Sequence, residues 1–340
     1  MLNLVTGATG LVGSHLVQAL IAKGERVRAM LHPRIPAGSL RDLGVEVRLG
    51  SLSDSATLVA AMSEVDHVYH CDGLVRDWGV MEDFEQANVH NVRHVLAAAT
   101  RARVSKFIYL STSDVYGFPG RPVTEAERLS PRGFPYSDSK VEGETLVWNH
   151  CRRVGLPVCV IRPSMVYGPG DRTLTAAIIE ALRRRNMPLI DGGEHVAGLT
   201  YVGNLVDALI LAAENPVSTG QTYNISDGSR VTWREFIYKL ADLAELPRPT
   251  RSYSHNVAFA LATVWEAYYR MMGRTQRPPL TRVLVEWLGT DHEYPIDKAV
   301  RDLGYRPRIA FEEGMRQTAV WLRREGLLDW EDHSTTLRGN

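Results

Sequence analysis

The chain has 340 residues, 44% hydrophobic and 23% charged, which gives room for one large core and a smaller second lobe. Lys+Arg and Asp+Glu both number 39, so the formal charge is zero and there is no basic footprint for a nucleic-acid partner. The run Arg183-Arg184-Arg185 is accordingly read as a solvated helix face.

Three cysteines, Cys71, Cys151 and Cys159, show neither metal-ligand nor disulfide-framework spacing and fit a reducing, cytoplasmic setting. No secretory signal is expected ahead of the first strand, and no apolar run is long enough to predict a membrane-spanning helix. His67 and His70 fall on one apolar strand and are read as structural rather than as metal ligands.

In chain order, strands are predicted at 2–5, 26–31, 46–49, 67–71, 106–111 and 158–162. Helices are predicted at 11–23, 55–62, 82–102 and 137–153. Near-continuous apolar strands alternating with amphipathic helices predict an α/β fold, a Rossmann-type doubly wound parallel sheet with helices on both faces. Past about residue 170 the pattern changes to helices at 175–185 and 232–246 among Gly- and Pro-rich connections. This predicts a dinucleotide-binding domain over 1–170, with a core that also draws on about 195–225, and a smaller C-terminal lobe over 171–335. The segment 257–272 carries Leu261, Val264, Trp265, Tyr268 and Met272 at helix spacing. It reads as a helix packed on the second lobe, with an interfacial or substrate-capping helix as the alternative.

The first predicted strand runs into Thr6-Gly7-Ala8-Thr9-Gly10-Leu11-Val12-Gly13, which opens the first helix. Glycines here allow a tight turn, close approach of a pyrophosphate and close helix–strand packing. The helix amino terminus offers N–H groups and the positive end of its dipole. Gly7, Thr9, Gly10, Leu11, Val12 and Gly13 are therefore candidate cofactor-binding residues.

Further on, Tyr136-Ser137-Asp138-Ser139-Lys140 puts a phenol and an ammonium on one helix face. A neighbouring lysine charge is expected to favour the phenolate, making Tyr136 a usable acid/base. Upstream, Ser111-Thr112-Ser113 ends a strand in hydroxyls, at the edge where parallel sheets bind ligands.

With Thr6 to Gly13, His70-Cys71-Asp72-Gly73, Asn88, Ser111-Thr112-Ser113, Tyr136 to Lys140 and Arg162-Pro163 in place, the chain resembles an extended short-chain dehydrogenase/reductase of the NAD-dependent epimerase/dehydratase superfamily. Pro279 to Arg282, Asp297-Lys298-Ala299 and Leu303 to Pro307 bring it closest to the 3β-hydroxysteroid dehydrogenase-like branch. The resemblance implies catalytic roles for Thr112, Tyr136 and Lys140, with Ser113 the fallback for Thr112. It also implies cofactor contacts at Ser51, Leu52, Tyr136, Lys140 and Pro163, and a homodimer. Two positions depart from the family pattern: Asp72-Gly73 where two small residues are usual, and Ser51 where an acid is usual.

An NAD-specific site of this design puts a carboxylate at the end of the second strand. That place falls on Leu31, and no acid occurs between Arg26 and Arg41. His32 and Arg34 follow and could meet a 2′-phosphate, so NADP is the expected cofactor over NAD. The expected partner is a small apolar 3-hydroxy or 3-keto substrate covered by Phe259, Leu261, Trp265, Tyr268, Tyr269 and the methionines of 257–272. Arg270, Arg274 and Arg277 keep a nucleotide-sugar epimerase or dehydratase as the rival, and a cofactor-sensing binding protein is the third reading. No nucleic acid and no spanning segment are expected; peripheral membrane contact is compatible with the sequence.

Overall fold

All five residues of β1 (Leu2–Thr6) are buried, as befits a strand covered by helices on both faces. The structure is a computed structural model and describes residues 1–328, so positions 329–335 of the expected lobe lie outside the described residues. Around β1 the sheet gathers β2 (Arg26–Leu31), β3 (Glu46–Leu49), β4 (His67–His70), β5 (Lys106–Leu110) and β6 (Val158–Pro163). Next come β7 (Met165–Tyr167), β8 (Leu189–Ile190) and β9 (Leu199–Tyr201), all outside this sheet, before the chain re-enters it at β10 (Gln221–Ile225). The seven strands are parallel, in the order β10-β6-β5-β4-β1-β2-β3. Strand order reverses at β1, so a crevice opens beyond the carboxyl ends of β1 and β4, where open α/β sheets bind ligands.

Helices α1 (Leu11–Ala22), α2 (Gly38–Asp42), α3 (Ser55–Ala61), α4 (Met81–Glu85), α5 (Asn91–Ala102) and α6 (Pro135–Val154) accompany the first six strands. The later helices are α7 (Thr175–Arg183), α8 (Val202–Glu214), α9 (Trp233–Leu243), α10 (His255–Met271), α11 (Arg282–Gly289), α12 (Asp297–Leu303) and α13 (Phe311–Arg324). One sheet face is covered by α1 and α8, with Leu16, Leu20, Leu205 and Leu209 against Val5, Ala29 and Ile161. On the other face Leu58, Val92, Leu96 and Val147 of α3, α5 and α6 meet Leu4, Val68 and Phe107. A third core joins α7, α9, α11 and α13 through Ile179, Phe236, Val285 and Met315.

The helix expected over 82–102 is interrupted. A π turn (Gln86–His90) separates α4 from α5, and such insertions re-aim one side chain. Here the side chain is Asn88, which is buried. Its amide donates to Leu74 O (3.1 Å) and Ser139 Oγ (2.9 Å) and accepts from Leu74 N (2.9 Å).

The helix expected over 257–272 forms as α10, but the expected stripe is not its packing face. It docks through Ala258, Ala262 and Glu266, while Leu261, Val264, Trp265, Tyr268 and Met272 are exposed. The reason is local: Glu266 bonds Arg282 N (2.7 Å) and Arg282 Nε (2.9 Å) at the start of α11, and small alanines let that helix approach. An apolar stripe does not fix which face of a helix is inside when an ion pair on the other face is available.

Candidate active site

The loop between β1 and α1 is shaped by backbone crowding. Gly7 has φ +67°, and a Cβ there would lie 2.8 Å from Cys71 O and Asp72 N. A Cβ on Gly13 would lie 2.1 Å from Gly7 O. Only glycines at these positions let the turn close (Gly10 N donates to Gly7 O, 2.9 Å) while α1 starts directly behind it. No side chain caps α1 and its first turn holds no acid, so free N–H groups and the positive dipole end are left for an anion. Thr9 and Gly10 are exposed, and Leu11 and Val12 half-buried, on that rim. The cradle suits the pyrophosphate of a dinucleotide. Behind it, Thr6 Oγ1 and His70 Nδ1 lie 2.8 Å apart, tying the ends of β1 and β4 together. Burial brings His70 down to about 3, so its imidazole is neutral.

Both candidate side chains of α6 face the sheet: Tyr136 and Lys140 are 8% and 5% exposed. Lys140 Nζ donates to Leu110 O (2.7 Å) at the end of β5 and stands 4.5 Å from the Tyr109 ring centre. Burial brings Lys140 down to about 8, against the pull of Glu144, Cys71 and Asp72. For Tyr136, burial and then the nearby Asp114 carboxyl raise the phenol well above its ordinary range, and a hydrogen bond with Thr112 pulls it back in part. The lowering expected from Lys140 is not among the effects acting on the phenol, and burial dominates them.

The three hydroxyls after β5 divide their tasks. Ser111 Oγ donates to Glu144 Oε2 (2.7 Å) and serves the core. Thr112 Oγ1 accepts from Asp114 N (3.2 Å), which starts a short 3-10 turn (Ser113–Tyr116) and holds the threonine beside Tyr136. Ser113 is directed to the Tyr294 hydroxyl. Thr112 is the one of the three placed with the phenol.

Sequence reasoning passed over two carboxylates. Glu144, fully buried, lies one further turn along α6 from Lys140 and takes Arg162 Nε on both oxygens (3.2 and 3.0 Å). Arg162 Nη1 donates to Tyr116 Oη (2.7 Å), which donates to Asn224 Oδ1 (2.7 Å). The 136/140/144 spacing was a usable signal for Glu144. The second carboxylate, Asp114, is 7% exposed, accepts from Trp287 Nε1 (2.9 Å) and is pushed up to about 6 by burial. No local pattern predicts a partner 173 residues away.

The remaining candidates sit around the same crevice. His32 and Arg34 are exposed just past the carboxyl end of β2, and Arg34 N donates to His32 Nδ1 (3.3 Å). Beyond β3, Ser51 Oγ bonds Ser53 (2.7 Å to Oγ) and Leu52 packs beside α3. Pro163 ends β6 opposite Ile225.

Residues 3–226 match the model of the NAD dependent epimerase/dehydratase family. Over 319 residues, 93% of this chain and 95% of the relative, the chain is 31% identical to a 4-hydroxy-2-methyl-3-oxo-4-farnesyl-3,4-dihydroquinoline-1-oxide ketoreductase of Stigmatella aurantiaca. It is also 31% identical to a 2-alkyl-3-oxoalkanoate reductase of Stenotrophomonas maltophilia, covering 92% of this chain and 97% of the relative. A 3-beta-hydroxysteroid dehydrogenase of Mycolicibacterium neoaurum is 26% identical, over 92% and 89% of the two chains. Among solved structures, MoeE5 in complex with UDP-glucuronic acid and NAD superposes with a TM-score of 0.75 at 26% identity, covering 95% of this chain and 99% of that one.

Proposed function

The chain belongs to the NAD-dependent epimerase/dehydratase family, as an oxidoreductase of the extended short-chain dehydrogenase/reductase type, and within it we propose an enzyme acting on the 3-hydroxy or 3-keto group of an apolar, sterol-like or long-chain substrate. A bound nicotinamide dinucleotide supplies or accepts the hydride. In this reading residues 1–170, with 195–225, form the cofactor half and the rest mainly the substrate half. Thr112 and Tyr136 hydrogen-bond the reacting oxygen, and Tyr136 passes the proton at its Oη. Lys140 holds a cation one helical turn from the phenol and the cofactor's ribose, and Gly7 to Gly13 take the pyrophosphate. Contacts from Ser51, Leu52 and Pro163 complete the cofactor site. His32 and Arg34 favour NADP, because no acid stands at the end of β2 to repel a 2′-phosphate.

The observation that carries the substrate class is the state of the arginines near the crevice. A nucleotide sugar needs free cations for its pyrophosphate. Here Arg270 and Arg282 are held by Glu266 (3.1 and 2.9 Å) and Arg277 by Asp77 (2.5 Å), while Arg274 lies over Tyr268 and Tyr269. Beside Tyr136, Phe118, Phe134 and Val283 form an apolar cluster with Trp287 against it. Such a wall favours hydrocarbon by about 25 cal/mol per Å² removed from water. The ketoreductase relative, whose name carries a farnesyl group, supports the same reading. The likeness to MoeE5 with its UDP-sugar supports the rival, a nucleotide-sugar epimerase that recycles tightly bound NAD. Calorimetric titration with a soluble steroid, a long-chain 3-keto compound and UDP-sugars separates them. Saturable UDP-sugar binding without binding of either apolar ligand would overturn the proposal.

A further inference from the structure

Among the described residues, no helix is long and apolar enough to cross a membrane. Yet α10 turns outward a continuous apolar face that nothing in the described structure covers. Val257, Leu261 and Val264 are 50%, 45% and 68% exposed, and Trp265, Tyr268 and Met271 are 40%, 37% and 78% exposed. They recur every three or four residues, so they form one stripe along the helix. Seventeen residues make a helix about 26 Å long.

Charge is distributed to match a particular partner. The only acid of α10, Glu266, is 4% exposed on the inner face, held by Arg282 and Arg270. Just past the carboxyl end of the stripe stands Arg274, lying over Tyr268 and Tyr269 and in no ion pair among the described residues. Trp265, Tyr268 and Tyr269 cluster edge to face, with ring centres 5.9 to 6.3 Å apart. Amphipathic aromatic rings beside arginines are what a lipid headgroup layer receives well.

The inner side of the same helix lines a crevice at the start of α6. Glu266 and Arg270 line a narrow crevice with Trp78, Phe134, Pro135 and Val283, and Pro135 precedes Tyr136. We propose that the outward face of α10 docks onto an anionic lipid bilayer. Delivery of a lipophilic substrate from the bilayer rests on the function proposed above; the docking itself does not.

The test uses the full chain and unilamellar vesicles of phosphatidylcholine, either pure or with about 30% phosphatidylglycerol. The wild type should co-sediment with the anionic vesicles several-fold better than with neutral ones, and brominated lipid should quench a fluorescence component that Trp265→Phe removes. The pair Val257→Glu/Val264→Glu should lower vesicle partition by about tenfold or more. Its turnover of a short, water-soluble ketone should stay unchanged, which also shows that it folds. Wild type that ignores both vesicle types, or a glutamate pair that sediments like wild type, overturns the docking. Light scattering identifies the other occupant: if wild type is a dimer that the glutamate pair splits, without vesicle binding, the face belongs to a second copy and the proposal falls. Binding to vesicles without turnover of any apolar ketone would sink the substrate reading and leave the docking intact. Turnover without binding would do the reverse.

Discussion

Tyr136 and Asp114 share a dry corner, where burial raises both groups and the Asp114 carboxyl raises the phenol further. If Tyr136 passes the proton, Tyr136→Phe should cut turnover by about two orders of magnitude or more and leave dinucleotide affinity nearly unchanged. If the Lys140 ammonium serves both phenol and ribose, Lys140→Ala should lower both; turnover and cofactor titration on the same samples test the contrast. Asp114 acts in two measurable ways. As a carboxylate it raises the Tyr136 pKa, so Asp114→Asn should move the rising limb of the oxidation pH profile to lower pH. Its carboxyl is pushed from 3.8 up to about 6, so the folded chain holds that proton more tightly than the unfolded chain. Stability therefore falls as pH rises through that window, with a loss of about 3 kcal/mol complete above the folded pKa. Asp114→Asn lacks this loss, so its melting temperature should gain on wild type between about pH 4.5 and pH 8. An equal difference at both values would refute the assignment.

At the scale of elements, two contacts decide whether the site can exist. The β1–α1 loop has no room for a methyl at Gly13, because the obstacle, Gly7 O, is backbone. Gly13→Ala should cost about 1–3 kcal/mol of stability, and should weaken dinucleotide binding at least about tenfold. Urea unfolding and cofactor titration read the two effects separately, and a variant that binds normally would contradict the cradle described. Between α6 and β6, Glu144→Ala strands the buried Arg162 and should cost about 3–5 kcal/mol. Glu144→Met/Arg162→Met should recover much of that loss, because an apolar pair leaves no charge behind. Thermal melts of the single and double variants check the order.

Across the whole molecule, segments far along the chain close on the candidate site through specific polar contacts. Trp287 of α11 reaches Asp114 (2.9 Å), and Arg277 grips Asp77 in the segment after β4 (2.5 Å). Cofactor choice belongs to this scale, since it depends on what surrounds the exposed ends of β2 and β3. NADP should bind more tightly than NAD, and Arg34→Glu should reverse the preference by about tenfold or more, the worth of one charge-assisted contact. Parallel titrations of both cofactors decide it, and tighter NAD binding by the wild type would overturn the expectation.

Periodic and short-range features could be read directly. Continuous apolar strands, the glycine spacing and the Tyr136–Lys140 interval each depend on neighbours within a turn or a strand, so the sheet, the loop and the shared face of α6 followed from local rules. Glu144 was within the same reach, one turn beyond Lys140. Other features were settled only by packing. The sequence could not tell that Ser111 serves Glu144 while Thr112 meets Tyr136, because both sit in one hydroxyl run and differ only in which face of the strand end they occupy. Nor could it place Trp287 on Asp114. The exposed stripe of α10 is the sharpest case. Apolar spacing defines a face, but Glu266 and its arginines, bonded to α11, chose which face turned inward. Hydrophobic pattern is a property of the chain; which surface is buried depends on the partner that tertiary structure supplies.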